Sequence, residues 1–285
     1  MREISRMECL DKCRLNDNGI TLEMLADIKS RKTAIKILNA QSKGVHYRLE
    51  YSPVGNNIQN PTVIICGITP DNDTWNLFRK SLINGDSLEK AARESVYSNM
   101  RDRLFKCLLK IYLFDYLADK HEYWQLVRDS EDGQKNNWSK IFSSRSASKE
   151  CGLQLTQACN CAILRGTSSK QPTKSALNEI VRIEPKCLFN RFSINSSLKL
   201  IIFLGTTRDL ERFWRDSCYY DKRIKVLSIP HPSGSNRVYN NDDAFRPLSE
   251  QDTTQLRNAK NLIINAKRVI NDLKKGEHNK LRVNG

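Results

Sequence analysis

The sequence predicts an α/β fold: a mostly parallel central sheet covered by helices on both faces, a three-layer α/β/α arrangement. Short apolar runs recur and each stops at glycine or proline, as in TVIICGITPD (62–71), LKLIIFLGTT (198–207) and IKVLSIPHPS (224–233). Runs that are continuously apolar mark strands buried on both faces. Amphipathic segments separate them, and strand–helix alternation is the pattern of parallel sheets.

Taken in order, residues 21–41 (TLEMLADIKSRKTAIKILNAQ) carry apolar residues at spacings of three and four and read as helix. GVHYRLEY (44–51) alternates like a strand, and SPVGNNIQNPT (52–62) reads as a connector. The expected organisation is an N-terminal helical extension over 1–55, followed by an α/β domain over 56–285. A helical insertion at about 76–150 interrupts that domain, with 87–120 reading as two packed helices and 129–150 as an exposed loop. LQLTQACNCAIL (153–164) reads as a further, weaker strand. SALNEIVRIEP (175–185) and TTRDLERFWRDS (206–217) read as helices. The segment 249–275 has acidic residues early and lysines late, matching the dipole of a long helix.

Lys and Arg outnumber Asp and Glu by 47 to 32, for a formal charge of +15. Such an excess favours a polyanionic partner, because every phosphate neutralised releases condensed counterions. No apolar run reaches the length of a membrane-spanning helix and the N-terminus lacks a signal-peptide core, so the expectation is a cytoplasmic protein without membrane contact, with a monomer as the expected state. Nine cysteines, several inside apolar runs, fit reduced thiols better than a disulfide framework. Neither phosphate-cradling glycine pattern, G-x-G-x-x-G nor G-x-x-x-x-G-K-[ST], occurs, which argues against a nucleotide-binding enzyme on the same kind of sheet.

In parallel α/β sheets ligands bind beyond the carboxyl ends of the strands. There the sequence places Gly67 to Asp73, Gln157 with Asn160, Gly205 with Thr206, and His231. Prolines 230 and 232 restrict the backbone on both sides of that histidine, and the small, polar, finally cationic residues behind it are poorly suited to a core.

CGITPDNDTW together with IPHPSGSNR resembles the two signature motifs of the uracil-DNA glycosylase superfamily, over roughly residues 60–270. The resemblance implies a Gly-x-x-Pro loop that activates water, a histidine loop that stabilises the departing base, a flipped-out nucleotide and DNA as partner. It implies that Thr69, Asp71 or Asp73 activates water, and that His231 donates to the base carbonyl as charge develops. Gly67, Ile68, Trp75, Gln157 and Asn160 would bind the base. Gly205, Thr206, Ser233, Ser235, Asn236 and Arg237 would hold the DNA backbone, and Val238 or Tyr239 would serve as the wedge that Ser235 is too small to form.

Departures from the family pattern are specific. Thr69 stands where relatives carry an acid or amide, Asp71 where many have glycine, and Gln157 where the family has asparagine. A threonine hydroxyl orients water but is no base near neutral pH. Asp71 and Asp73 are alternatively helix caps, and Gln157 and Asn160 alternatively plain strand residues. With no lysine in either loop, hydrolysis by water is expected rather than a Schiff-base route. The departures point away from plain uracil and towards a modified or atypical base, such as a phage-type modified pyrimidine. Cys9, Cys13, Cys161 and Cys187 fall roughly where some superfamily members hold an iron–sulfur cluster, but their spacings are longer, and ordinary thiols with no cofactor are the default expectation.

Overall fold

The computed structural model describes residues 36–42, 45–51, 54–56, 58, 60–68, 72–130, 151–159, 161–165, 188, 189, 192, 194–205, 208–232 and 242–283. Its strands are β1 (Lys36–Ser42), β2 (Val45–Tyr51), β3 (Val63–Gly67), β4 (Leu153–Gln157), β5 (Cys161–Arg165), β6 (Leu200–Leu204) and β7 (Lys225–Ile229). Its helices are α1 (Asn72–Ile83), α2 (Leu88–Ser95), α3 (Arg101–Lys110), α4 (Leu113–Ala118), α5 (Glu122–Asp129), α6 (Arg208–Arg215) and α7 (Thr254–Val283).

Four of the strands form an all-parallel sheet in the order β4-β3-β6-β7. The chain lays β4 on one side of β3, then β6 and β7 on the other. The winding direction therefore reverses at β3, and in parallel sheets ligands bind at the carboxyl edge of such a switch point.

Strand side chains alternate between two buried faces. One face presents Val63, Ile65, Leu153, Leu155, Leu200, Ile202, Leu227 and Ile229 to a large core shared with α1 to α5 and α7. The other presents Ile64, Cys66, Ile201 and Phe203, all fully buried. An aromatic cluster covers it: Phe189 lies 6.0 Å from Phe203 and 5.4 Å from Trp214 of α6, centroid to centroid. Ser228 of β7 donates to Glu211 of α6 at 2.7 Å on the same side. Burial on both faces is what the continuous apolar runs anticipated, and it accounts for β3, β6 and β7 being legible.

Three expectations are corrected. Lys36–Ser42, expected as helix, is a strand hairpinned to β2, because cross-strand pairing overrides a helical spacing of apolar residues. The run 153–164, expected as one strand, is two. β4 joins the parallel sheet, whereas β5 pairs with β2 in a separate antiparallel sheet of order β1-β2-β5. The segment 87–120, expected as two helices, is broken further where Tyr97 and Tyr112 take left-handed backbone angles, φ 54° and 64°. Residues 175–185 lie outside the described residues.

The outer edge of the sheet is closed by Asn56. Its amide donates to the Leu153 carbonyl at 2.9 Å and accepts from the Leu155 N–H at 2.5 Å, imitating a further strand along β4. The opposite end of the sheet is sealed by Thr62, hydrogen-bonded to His121 at 2.7 Å, and by Trp124, which donates to the Cys151 carbonyl at 2.6 Å.

Because Ile65 lies in the central strand and is fully buried, Ile65→Ala is expected to lower unfolding free energy by about 2–5 kcal/mol in urea titrations. Ile83→Ala, at a side chain 54% exposed, is expected to stay within about 0.5 kcal/mol of the parent.

Candidate functional site at the carboxyl edge of the sheet

The strand order fixes what meets at the carboxyl edge. Gly67 is directly paired with Gln157 across β3 and β4, and Gly205 and His231 follow β6 and β7. The edge therefore reads Gln157, Gly67, Gly205, His231, and with strands about 4.8 Å apart it spans roughly 14 Å. Backbone bonds continue past the strands. Gly67 and Ile68 carbonyls accept from Ala158 and Cys159 at 2.8 and 3.0 Å, and Gly205 donates to the Ile229 carbonyl at 2.8 Å. The first motif loop thus starts from a fixed base.

Gly67 is required by what occupies its side-chain position. A Cβ there would lie 2.2 Å from Gln157 Oε1 and 3.0 Å from the Tyr97 hydroxyl. That hydroxyl accepts from the Gly67 N–H at 2.5 Å and donates to the Thr156 carbonyl, so it bridges the ends of β3 and β4. Burial pushes the Tyr97 phenol well above its ordinary pKa, with the neighbouring Cys66 adding to the rise, and keeps it a neutral donor. Burial likewise pushes the Cys66 thiol up, so it stays an inert thiol beneath the site.

Tyr97 itself is held from both sides in sequence. Arg101 donates from Nε to the Val96 carbonyl at 3.0 Å and from its terminal nitrogen to the Arg93 carbonyl at 2.5 Å. Desolvation lowers that guanidinium to about 10. Gln157 is 5% exposed, and among the described residues its Oε1 has no hydrogen-bond partner. A buried amide oxygen left open is costly unless something supplies a donor, which makes it a candidate contact for a ligand.

At the far end, His231 is half-exposed while Pro230 and Pro232 on either side are buried. The prolines restrict the backbone on both sides of the histidine. Gly205, at φ +107°, makes the turn beside it, and a Cβ on that glycine would approach the His231 Cβ at 3.8 Å. Arg103 of α3 donates to the Pro232 carbonyl at 3.2 Å.

Of the residues singled out in the sequence, the structure brings Gly67, Ile68, Gln157, Gly205 and His231 to one edge. Asp73 is exposed in the first turn of α1, where a carboxylate suits the helix dipole. Trp75 is 5% exposed and stacks on Phe78 at 5.6 Å within the main core, so its ring is committed to packing rather than free to stack on a base. Thr69, Asp71, Asn160, Thr206, Ser233, Ser235, Asn236, Arg237, Val238 and Tyr239 lie outside the described residues, as do Cys9, Cys13 and Cys187. Cys161 opens β5. Among the described residues no three His, Cys, Asp or Glu side chains gather around a point that would hold a metal ion. No described helix is long and apolar enough to cross a membrane.

Sequence reasoning missed Tyr97, Arg103 and Asn56. Tyr97 carries no glycine or proline to announce its turn, and the contacts of all three span 30 residues or more. No protein-family model matches the chain, and no curated protein is significantly similar to it.

Gly67→Ala is expected to destabilise the protein by about 1–3 kcal/mol, since the new methyl must expel the Gln157 amide from a buried position. Gly276→Ala, inside α7 with open space around it, is expected to stabilise by about 0.5–1 kcal/mol in the same denaturation assay.

Proposed function

We propose that this protein is a monofunctional DNA glycosylase with a three-layer fold of the uracil-DNA glycosylase type, acting on a flipped-out, modified or atypical base. The observation that carries the reading is a half-exposed histidine between buried prolines, on the same strand edge as Gly67 and a buried glutamine oxygen that has no partner among the described residues. The edge offers two different chemistries at its two ends.

At the Gln157 end, an amide presents an acceptor and a donor, the pair that reads the hydrogen-bonding edge of a base. At the other end, the His231 ring donates to a carbonyl oxygen of the base as negative charge collects there and the N-glycosidic bond breaks. Water adds to the sugar carbon, its proton passes to a base of the loop between Gly67 and α1, and an abasic site and the free base remain. The positively charged chain supplies the attraction for the phosphate backbone.

Gln157 in place of an asparagine extends the reading group by one methylene, and Thr69 removes the usual acid or amide. Both changes favour a substrate other than uracil, and excision of phage-type modified pyrimidines would make the protein an antiviral defence enzyme. Thr69 equally favours a second reading, a glycosylase-like protein that binds DNA without cleaving it.

The test is base release from DNAs holding uracil, hypoxanthine, thymine mispairs or naturally modified cytosines, followed as alkali-labile sites and free base by mass. Release from one of these is expected, and is expected to drop by about a hundredfold or more in His231→Ala. DNA affinity is expected to fall about 1,000-fold between about 50 and 200 mM salt where about six phosphates are held. Salt-sensitive binding with no release from any substrate would replace the enzyme with the binding protein.

A further inference from the structure

Among the described residues, four that are not glycine hold a left-handed backbone: Tyr97, Tyr112, Phe189 and Asp242. Such angles are strained for a residue with a side chain and persist where the surrounding structure holds them. Three of the four side chains are used by the fold. Tyr97 bridges β3 and β4, Phe189 sits in the aromatic cluster, and Asp242 pairs with Lys106 at 2.6 Å. Tyr112 is the fourth. At φ 64° it stands just past the end of α3, where helices usually carry glycine, and its N–H donates to the Leu109 carbonyl at 3.0 Å. Ile111 and Leu113 on either side are fully buried in the core, whereas Tyr112 lies outside it and is 45% exposed. Neither the turn nor the core calls for an aromatic ring there.

What surrounds the ring is cationic and partly apolar. Lys267 of α7 places its Nζ 5.5 Å from the ring centroid. Asp119, at the other end of α4, pairs with Lys274 at 3.2 Å, so α7 runs along α4 and the ring lies at their shared border. Leu109 and Ile264, 38% and 50% exposed, stand three residues before Tyr112 and Lys267 respectively. Lys110 and Arg268 beside them are exposed, with Arg268 donating to Asn265 at 2.9 Å. Asp115 of α4 and Asp272 of α7 are outnumbered by Lys110, Lys267, Arg268 and Lys275.

We propose that Tyr112 is a stacking platform for a base of single-stranded DNA, with Lys110, Lys267 and Arg268 holding the phosphates around it. An aromatic ring stacks with any base and cations beside it neutralise the backbone, the combination on which sequence-tolerant single-strand sites rest. Lys267 covers one face of the ring, and the part of Tyr112 that stays exposed is the area a base can cover. The chain's formal charge of +15 draws the strand in. The platform belongs to the helix-covered face rather than to the carboxyl edge, so it goes beyond the glycosylase reading and does not depend on base release.

The experiment titrates a labelled oligothymidylate with the full-length protein and reads fluorescence anisotropy for wild type, Tyr112→Gly, Tyr112→Phe and Lys267→Gln. Melting temperatures are measured alongside. Expected are salt-sensitive binding by wild type, a loss of about five- to a hundredfold in Tyr112→Gly, and affinity within about twofold in Tyr112→Phe, which keeps the ring. Lys267→Gln is expected to weaken binding and to lower the salt slope by about one. Tyr112→Gly is expected to melt at or above the wild-type temperature, because glycine suits the left-handed turn. A bromouracil-substituted strand is expected to crosslink at Tyr112. Unchanged affinity in Tyr112→Gly, or an equal loss in Tyr112→Phe, would overturn the proposal. So would a clear drop in the melting temperature of Tyr112→Gly, which would assign the ring to packing within the protein. A wild-type dimer that Tyr112→Gly dissolves would give the patch to a second copy and overturn it as well. If no DNA releases base while the Tyr112 effect is intact, the glycosylase reading fails alone. If wild type releases base and Tyr112→Gly binds the strand as tightly as wild type, the platform fails alone.

Discussion

The Tyr97 hydroxyl between the Gly67 N–H and the Thr156 carbonyl is the contact on which the carboxyl edge of the sheet depends. It fixes how far β3 and β4 stand apart at the point where the first motif loop leaves the sheet. It also dictates glycine at position 67, because hydroxyl and Gln157 amide already fill the space a side chain would need. From that one arrangement follow the burial of the Gln157 oxygen, without a partner among the described residues, and the fixed start of the loop. A tyrosine in a left-handed backbone conformation is strained, and such strain persists only where neighbouring contacts hold it. Here the two carbonyl bonds of Arg101 do so.

The sheet order then distributes chemistry along the edge. Since β4 forms one edge of the sheet and β7 the other, the amide and the histidine are held at opposite ends of a row, with β3 and β6 between them. An amide stands at one end of the row and an imidazole at the other. Helices cover one face of the sheet beneath the row and an aromatic cluster the other.

Much of this frame could be read in the chain itself. β3, β6 and β7 announce themselves as apolar runs ending at Gly67, Gly205 and Pro230, because strands buried on both faces need no alternation. His231 could be singled out because the prolines around it are visible in one dimension. The hairpin of Lys36–Ser42 could not, since its pairing with β2, and β2's with β5 more than a hundred residues away, decides the conformation against a helical spacing. Tyr97 and Arg103 could not either: their partners lie 30 to 129 residues distant, and a tyrosine or arginine between helical stretches carries no local mark of a role. Trp75 illustrates the opposite error, a ring placed near a motif by sequence and claimed by the core in three dimensions.

The most direct measurement is hydrogen exchange of the protein alone and with saturating duplex DNA, read peptide by peptide. The account predicts that protection gained on binding centres on peptides containing Gly67–Ile68, Gln157, Gly205 and His231, with the opposite sheet end around Thr62 and Cys151 unchanged. Protection confined to that opposite end, or to the β1–β2 hairpin, would contradict a nucleic-acid site at the carboxyl edge.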